Sequence, residues 1–154
     1  MIHFELITPE RVVYRQEADQ VTLPTAQGEI TVLPGHASLV AALVPGIARL
    51  KTKGTEEEVA VSGGFIEVGN DKVRVLADTA ERGEELDISV IEEAKKRAEK
   101  VMQEAARQDD VSFAAAMASM EREMARYKLA KRRRAPKQTP TIDSAALPTD
   151  ENPS

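Results

Sequence analysis

Glycine and proline divide this 154-residue chain into two unlike parts. All eight glycines lie at or before Gly83, and no proline falls between Pro45 and Pro136. Up to about residue 85 a breaker interrupts the backbone every few residues, as in all-β domains; the roughly fifty residues that follow contain nothing to stop a helix. The length allows one compact domain with an appendage and excludes two large domains.

The first part reads as strands. Ile2, Phe4 and Leu6 alternate up to a turn at Thr8-Pro9, Val12 to Tyr14 begin a second strand, and Val21 with Leu23 mark a third. Leu39 to Val44 and Ile47 to Thr52 continue the pattern. Val59 and Val61 lead into Gly63-Gly64, which predicts a break before a separate short strand, Phe65 to Val68. Asn70-Asp71 predicts a two-residue hairpin turn, across which Val73, Val75 and Ala77 pair back. Eight to ten short strands predict a sandwich or barrel of about 85 residues. Within it, Pro34-Gly35-His36 forms a rigid exposed corner between two extended segments, suited to docking.

From Asp87 the apolar period changes from two to nearly four. Ser89 with Glu92 fits a capping box, which places a helix from there to about Gln108, with Ile91, Ala94, Ala98, Val101, Met102 and Ala105 as its apolar stripe. Asp109-Asp110 breaks the pattern. A second helix, from about Val111 to Arg134, carries Phe113, Met117, Met120, Met124 and Tyr127 at spacings of three and four. Together the stripes predict an antiparallel helical hairpin with a thin, Met-rich, adaptable seam, because each Ala buries one methyl against the roughly 1.5–3 kcal/mol of a buried Leu or Val. Residues 135–154 hold four prolines and no sustained apolar period, and read as a disordered tail without assigned function. The organisation expected is thus a sandwich over 1–86, a hairpin over 87–134 and a tail.

Charge follows the same division. Residues 1–86 carry 8 basic and 14 acidic side chains, and residues 87–134 carry 12 and 9, within a net charge of −5. With no cysteine there is neither a disulfide framework nor a thiolate metal site. Two separated histidines and no phosphate loop leave no acid-base pair or nucleophile triad, so the chain reads as a non-enzyme. The start lacks a basic and apolar leader, and no run approaches the roughly 18 apolar residues of a span, so a soluble, unexported chain without direct membrane insertion is expected.

The segment GEITVLPGHASL, Gly28 to Leu39, followed by Pro45-Gly46, resembles the G-E-x-G-I-x-P-G-H-A-P-L signature of the epsilon subunit of F-type, proton-translocating ATP synthases, departing from it at Thr31, Val32 and Ser38. The run VSGGFIEV, Val61 to Val68, and the strand VLADTA, Val75 to Ala80, are similar to two further segments of that family in the same order. The resemblance covers roughly residues 3–134. It implies a non-catalytic central-stalk rotor subunit that binds gamma and rests on the c-ring, coupling proton-driven rotation to ATP synthesis. The C-terminal hairpin would fold down on the sandwich or extend into the catalytic head, where it inhibits hydrolysis. The implied location is the cytoplasmic face of the cell membrane, held there peripherally by the complex.

Site residues follow from the same resemblance. Gln27, Gly28, Glu29, His36 and Ser38 become c-ring contacts; the alternative is an ordinary surface turn in which His36 satisfies a backbone carbonyl. Between Arg122 and Arg134 lie seven Lys or Arg and one acid, more than helix-dipole compensation requires. Arg122, Arg126, Lys128, Arg132 and Arg133 become contacts to an acidic segment of the beta subunit. Some bacterial family members bind ATP through an I/L-D-x-x-R-A motif. Leu86-Asp87 matches its first half, with Arg97, Arg122 and Arg126 as helpers, but Val90 and Ile91 stand in place of Arg and Ala, so no cofactor is expected. Two rival classes are a free-standing module whose basic helix grips nucleic acid, disfavoured by acidity and scarce aromatics, and a small ATP sensor dependent on Asp87.

Overall fold

In the computed structural model, which describes residues 1–107 and 110–134, the turn at Asn70–Asp71 sets the frame of the sheet. Both residues take positive φ, 52° and 55°, as a two-residue hairpin turn with right-handed twist requires. On either side stand the two longest strands, β7 (Thr55–Gly69) and β8 (Lys72–Arg82), paired along most of their length. The remaining strands are β1 (Ile2–Ile7), β2 (Val12–Ala18), β3 (Gln20–Thr25), β4 (Gly28–Val32), β5 (Leu39–Ala42) and β6 (Gly46–Thr52).

β7 belongs to two sheets at once. Its first half pairs with β6, which leads through β3 to the edge strand β4; its second half pairs with β5. β8 pairs in parallel with β1, and β1 antiparallel with β2. The predicted break at Gly63-Gly64 is therefore a bend inside a continuous strand. A Cβ on Gly63 would lie 2.1 Å from Asp78 Oδ2, and one on Gly64 1.9 Å from the Leu76 carbonyl oxygen, with φ of +55° and +112°. Glycine is the residue that lets the strand turn the corner while keeping its register with β8. The opposite side closes where Thr25 bridges Leu43 and the Leu43 N–H donates to the Gly64 carbonyl at 2.9 Å. Between the layers lies an aliphatic core in which Ile2, Phe4, Leu6, Leu23, Leu50 and Ile66 are fully buried.

A 3-10 turn at Gly83–Glu85 leads into α1 (Ile88–Ala105), and α2 (Asp110–Arg134) returns antiparallel. α2 lies on β6 and β7, while α1 packs chiefly on α2. The cap of α1 is Asp87 rather than the predicted Ser89: its carboxylate accepts from the Ser89 N–H at 2.9 Å and hydroxyl at 2.7 Å. An N-cap needs a side-chain acceptor two residues before the donor, and the acid two positions upstream takes that place.

The seam also differs from the predicted stripes. On α1 Ile91, Ala98 and Ala105 are buried and Ala94 and Met102 half-buried, but Val101 is 53% exposed. On α2 the buried residues are Ala116, Glu123, Ala125, Leu129 and Ala130. Phe113, Met120 and Tyr127 are half-buried, whereas Met117 and Met124 are exposed. Burial on both helices recurs every seven residues, at 91, 98 and 105 and at 116, 123 and 130, as in coiled-coil seams. Met117 and Met124 each follow a seam position by one residue, about 100° further around the helix. The hairpin is thus closed by alanine, not methionine. The predicted helix end at Gln108, the break at Asp109 and the tail 135–154 lie outside the described residues.

Replacing Gly64 by Ala is expected to cost about 3 kcal/mol in urea unfolding, from left-handed strain plus a clash with backbone. Gly28→Ala has a similar φ but nothing within 4 Å, and should cost about 1 kcal/mol. Equal losses at the two sites would show that strain alone, without the sheet corner, fixes Gly64.

Candidate functional site

The hairpin is fastened to the sandwich by charge. Glu123 is a carboxylate inside the seam, its side chain 4% exposed, and it accepts from Arg126 Nη1 at 2.7 Å and Arg122 Nη2 at 3.3 Å. The same Arg126 reaches across to β8, where Nε and Nη2 both bind the Glu81 carboxylate, the latter at 3.0 Å. Burial alone would lower the Arg126 pKa, but the hydrogen bonds it donates to Glu81 and then to Glu123 outweigh it and raise the pKa, so the cation is retained. One turn and a half further along, Arg132 Nη1 donates to Glu58 on β7 at 2.6 Å. The Arg133 side chain packs over Gly83, where an added Cβ would approach its Cδ to 2.8 Å.

The predicted basic face is therefore occupied. Arg122, Arg126 and Arg132 face acids of this chain, Arg133 covers the 3-10 turn, and Lys128 is exposed. The acidic partners Glu58 and Glu81 escaped the sequence reading because nothing marks which carboxylate of an acidic strand meets a distant helix; Glu123 was visible as the one acid of the basic run. Beneath Arg133 the 3-10 turn is itself tied down, since Arg11 Nη2 donates to both oxygens of Glu85 at 2.7 and 2.8 Å. Burial pushes the Glu85 carboxyl up, but hydrogen bonds from Arg11 and the Arg82 N–H prevail and hold it below the usual range.

The nucleotide set is not assembled. Asp87 caps α1 beside Ala130 and Arg133, and Arg97 lies exposed on α1. Arg122 and Arg126 line a groove of about 480 Å³ that also holds Arg11 and the carboxyls of Glu10, Asp78, Glu81 and Glu85. Four acids against three guanidiniums, all three already paired, give a phosphate no surplus of positive charge. Among the described residues no cluster of His, Asp and Glu is arranged to hold a metal ion.

The predicted docking corner is divided. Gln27 lies in the turn before β4, Gly28 opens that strand, and Glu29 beside them pairs with Arg49. His36 and Ser38 lie beyond its other end, about 13 Å away by strand rise. There the Leu33 carbonyl accepts from the His36 N–H at 3.1 Å, and Gly35 N–H donates to Asp71 at 2.6 Å. The His36 ring contacts the Ala37 carbonyl through Nδ1 at 2.7 Å. What joins the two groups is the free edge of β4.

A third surface was not foreseen. Ala42, Phe65, Leu76, Ile7 and Val12 stand in register across β5, β7, β8, β1 and β2. Phe65 is 61% exposed, Val12 47% and Leu76 42%, so an apolar row crosses the outer face of the sheet. On one side it is bounded by Glu67, Arg74, Glu5 and Arg15, the next register row. There the hydrogen bond from Arg74 first, then the charge of Arg15, hold the Glu5 carboxyl below the usual range. The signal was available: Leu6-Ile7, Val12-Val13, Phe65-Ile66 and Val75-Leu76 are apolar doublets, and a strand with two adjacent apolar residues has apolar side chains on both faces.

The family described as ATP synthase, Delta/Epsilon chain, beta-sandwich domain matches residues 1–83. The ATP synthase epsilon chain of Moorella thermoacetica is 45% identical over 130 residues, 84% of this chain and 96% of that one. The epsilon chain of Halalkalibacterium halodurans is 41% identical over 131 residues, 85% and 98% of the two chains. Among solved structures, a chain in the Euglena gracilis mitochondrial ATP synthase (OSCP/F1/c-ring in rotational state 1) superposes with TM-score 0.69 at 26% identity, covering 80% of this chain and 78% of that chain. A chain in the Tetrahymena thermophila mitochondrial ATP synthase shares the fold, with TM-score 0.55, 13% identity and coverage of 84% and 96%. The family match over more than half of the chain and the near-complete coverage of the two epsilon chains agree: this chain belongs to the ATP synthase epsilon chain family.

Proposed function

We propose that this chain is a non-catalytic central-stalk rotor subunit that transmits proton-driven c-ring rotation toward ATP synthesis, and that its hairpin is a releasable brake on ATP hydrolysis. The observation that carries the reading is the ionic fastening of α2: Arg126 and Arg132 are held by Glu81 and Glu58 of the acidic sandwich. An acidic segment of the beta subunit offers the same chemistry, so the basic face has two competing partners and the hairpin two states of similar free energy. The apolar row from Ala42 to Val12 is the surface for gamma, since it is exposed and left uncovered by the hairpin. The c-ring contact runs along the β4 edge, which joins Gln27 to Glu29 at one end to His36 and Ser38 beyond the other. Among the described residues no helix is long and apolar enough to cross a membrane, and peripheral seating at its cytoplasmic face through the ring supplies the location. The nucleic-acid module is disfavoured because Arg122, Arg126 and Arg132 of the run it needs are paired with acids of the same chain.

Truncation after Leu86 should leave co-purification with gamma intact and raise ATP hydrolysis by the reassembled complex; an unchanged rate would remove the brake from this reading. The double variant Glu58→Lys, Glu81→Lys should weaken hairpin docking by about 1–2 kcal/mol, discounted for partial exposure, and strengthen inhibition. Amide exchange along α2 and hydrolysis rates read the two effects separately. Phe65→Asp with Leu76→Asp should abolish co-purification with gamma at an unchanged melting temperature, because both side chains face solvent in the free subunit. Retained binding would place gamma elsewhere.

A further inference from the structure

Between α2 and the sandwich runs a second groove, of about 900 Å³. Its floor is apolar: Pro24, Pro45 and Ile47 come from the sandwich, and Met124, Ala125 and Tyr127 from α2. Met124 is 51% exposed there, although it is a large apolar side chain. The sandwich wall offers little to a peptide backbone. Pro24 and Pro45 have no N–H, the Pro24 carbonyl already accepts from the Val44 N–H at 3.2 Å, and Gly46 is paired with Val61 in the β6–β7 ladder. An extended segment joining a sheet needs such groups, and an aliphatic chain does not. The rim is basic, and its cations divide by type. Arg49 is paired with Glu29 and Arg132 with Glu58, so both guanidiniums are taken. Lys95, Lys128 and Lys131 also line the groove, and among the described residues no carboxylate pairs with any of them. Lys95 and Lys131 lie 4.8 and 5.8 Å from the centre of the Tyr127 ring. One ring thus draws two like charges together, and an anion between them offsets their repulsion.

We infer that this groove binds a long-chain fatty-acid anion, its aliphatic chain on the floor of Pro24, Pro45, Ile47 and Met124 and its carboxylate among Lys95, Lys128 and Lys131. The apolar and basic parts are displaced along α2 as chain and head are in such a molecule: Lys131 stands two turns, about 10 Å, beyond Met124. Glu121 lines the groove one turn before Met124 and disfavours a second negative charge at the other end, so the ligand carries one head. The volume lies within the roughly 300–1,000 Å³ of small-molecule sites. A flat membrane surface does not reach a floor set between a helix and a sheet, which makes the ligand a monomeric amphiphile. Because the walls belong to both parts of the molecule, it binds the folded-down hairpin and stabilises that state by mass action. The site needs only the docked arrangement and is independent of the proposed brake.

Calorimetric titration of the full chain with dodecanoate tests the site, with dodecanol as the uncharged counterpart and inorganic phosphate as a head without a chain. Dodecanoate should bind about ten-fold more tightly than dodecanol, and phosphate should not displace it. Bound dodecanoate should slow amide exchange at Tyr127 to Lys131. Lys128→Glu with Lys131→Glu should weaken binding about ten-fold, and Met124→Asp should abolish it. These three side chains are exposed, so an unchanged melting temperature of the free variants shows the fold intact. Lys96→Glu with Lys100→Glu, exposed on α1 and outside the groove, should bind as the parent does. Equal affinity for dodecanoate and dodecanol, or equal losses in the two lysine pairs, would overturn the proposal. So would binding to phosphatidylglycerol vesicles without binding of dodecanoate, which assigns the lysines to a membrane surface. Groove protection that ignores dodecanoate and arises only on assembly with gamma overturns it as well and assigns the groove to a partner subunit.

Discussion

The folded-down hairpin depends on one guanidinium. Arg126 binds Glu123 within its own helix and Glu81 on β8, so the charge that makes the seam carboxylate tolerable also joins α2 to the sheet. A carboxylate as enclosed as Glu123 is costly unless paired, and Arg122 alone, 3.3 Å away and 43% exposed, is a weak substitute. Moving α2 off the sandwich keeps the Glu123 pair, which is internal to the helix, and breaks the Glu81 pair. In the proposed second state, the ion pairs given up would therefore be those that another acidic surface can reproduce.

Apolar burial does not override this balance. Across the hairpin most buried side chains are alanines, each contributing one methyl, about 0.8 kcal/mol; Ile91 and Leu129 are the large ones. The sandwich, by contrast, buries Ile2, Phe4, Leu6, Leu23, Leu50 and Ile66 completely. One part of the molecule has a core that holds its shape under load and the other a seam in which electrostatics decide the position. That contrast suits a rotor element that carries torque through its β domain and changes state through its helices.

The sequence made the alternation of strands, the Asn70–Asp71 turn and the change from period two to period four legible, because each is local and written in adjacent residues. The continuity of β7 was not, because Gly63-Gly64 reads as punctuation until the clash with Leu76 and Asp78 shows the backbones in contact. The Met-rich seam failed for a related reason. Spacings of three and four select a face of an isolated helix, but which part of that face is covered depends on the partner, and the close approach permitted by Ala98, Ala105 and Ala116 turned Met117 and Met124 outward. For the site, the basic run on α2 was visible as excess charge. Its partners Glu58 and Glu81 were not, since they lie 74 and 45 residues from the arginines they bind.

The two proposed attachments of this subunit differ in kind, and the difference has a consequence. The hairpin is held by ion pairs with partly exposed members, which salt screens over about 8 Å at physiological ionic strength. The row of Phe65, Leu76, Ile7 and Val12, exposed in the free subunit, would be held by apolar burial against gamma, which salt leaves in place or strengthens. A change in ionic conditions, or a competing acidic surface, would thus act on the helices without loosening the proposed contact with gamma. The acidic sandwich makes that separation possible: its carboxylates serve the basic helix, while its exposed apolar row, running across strands β5 to β2, carries no charge.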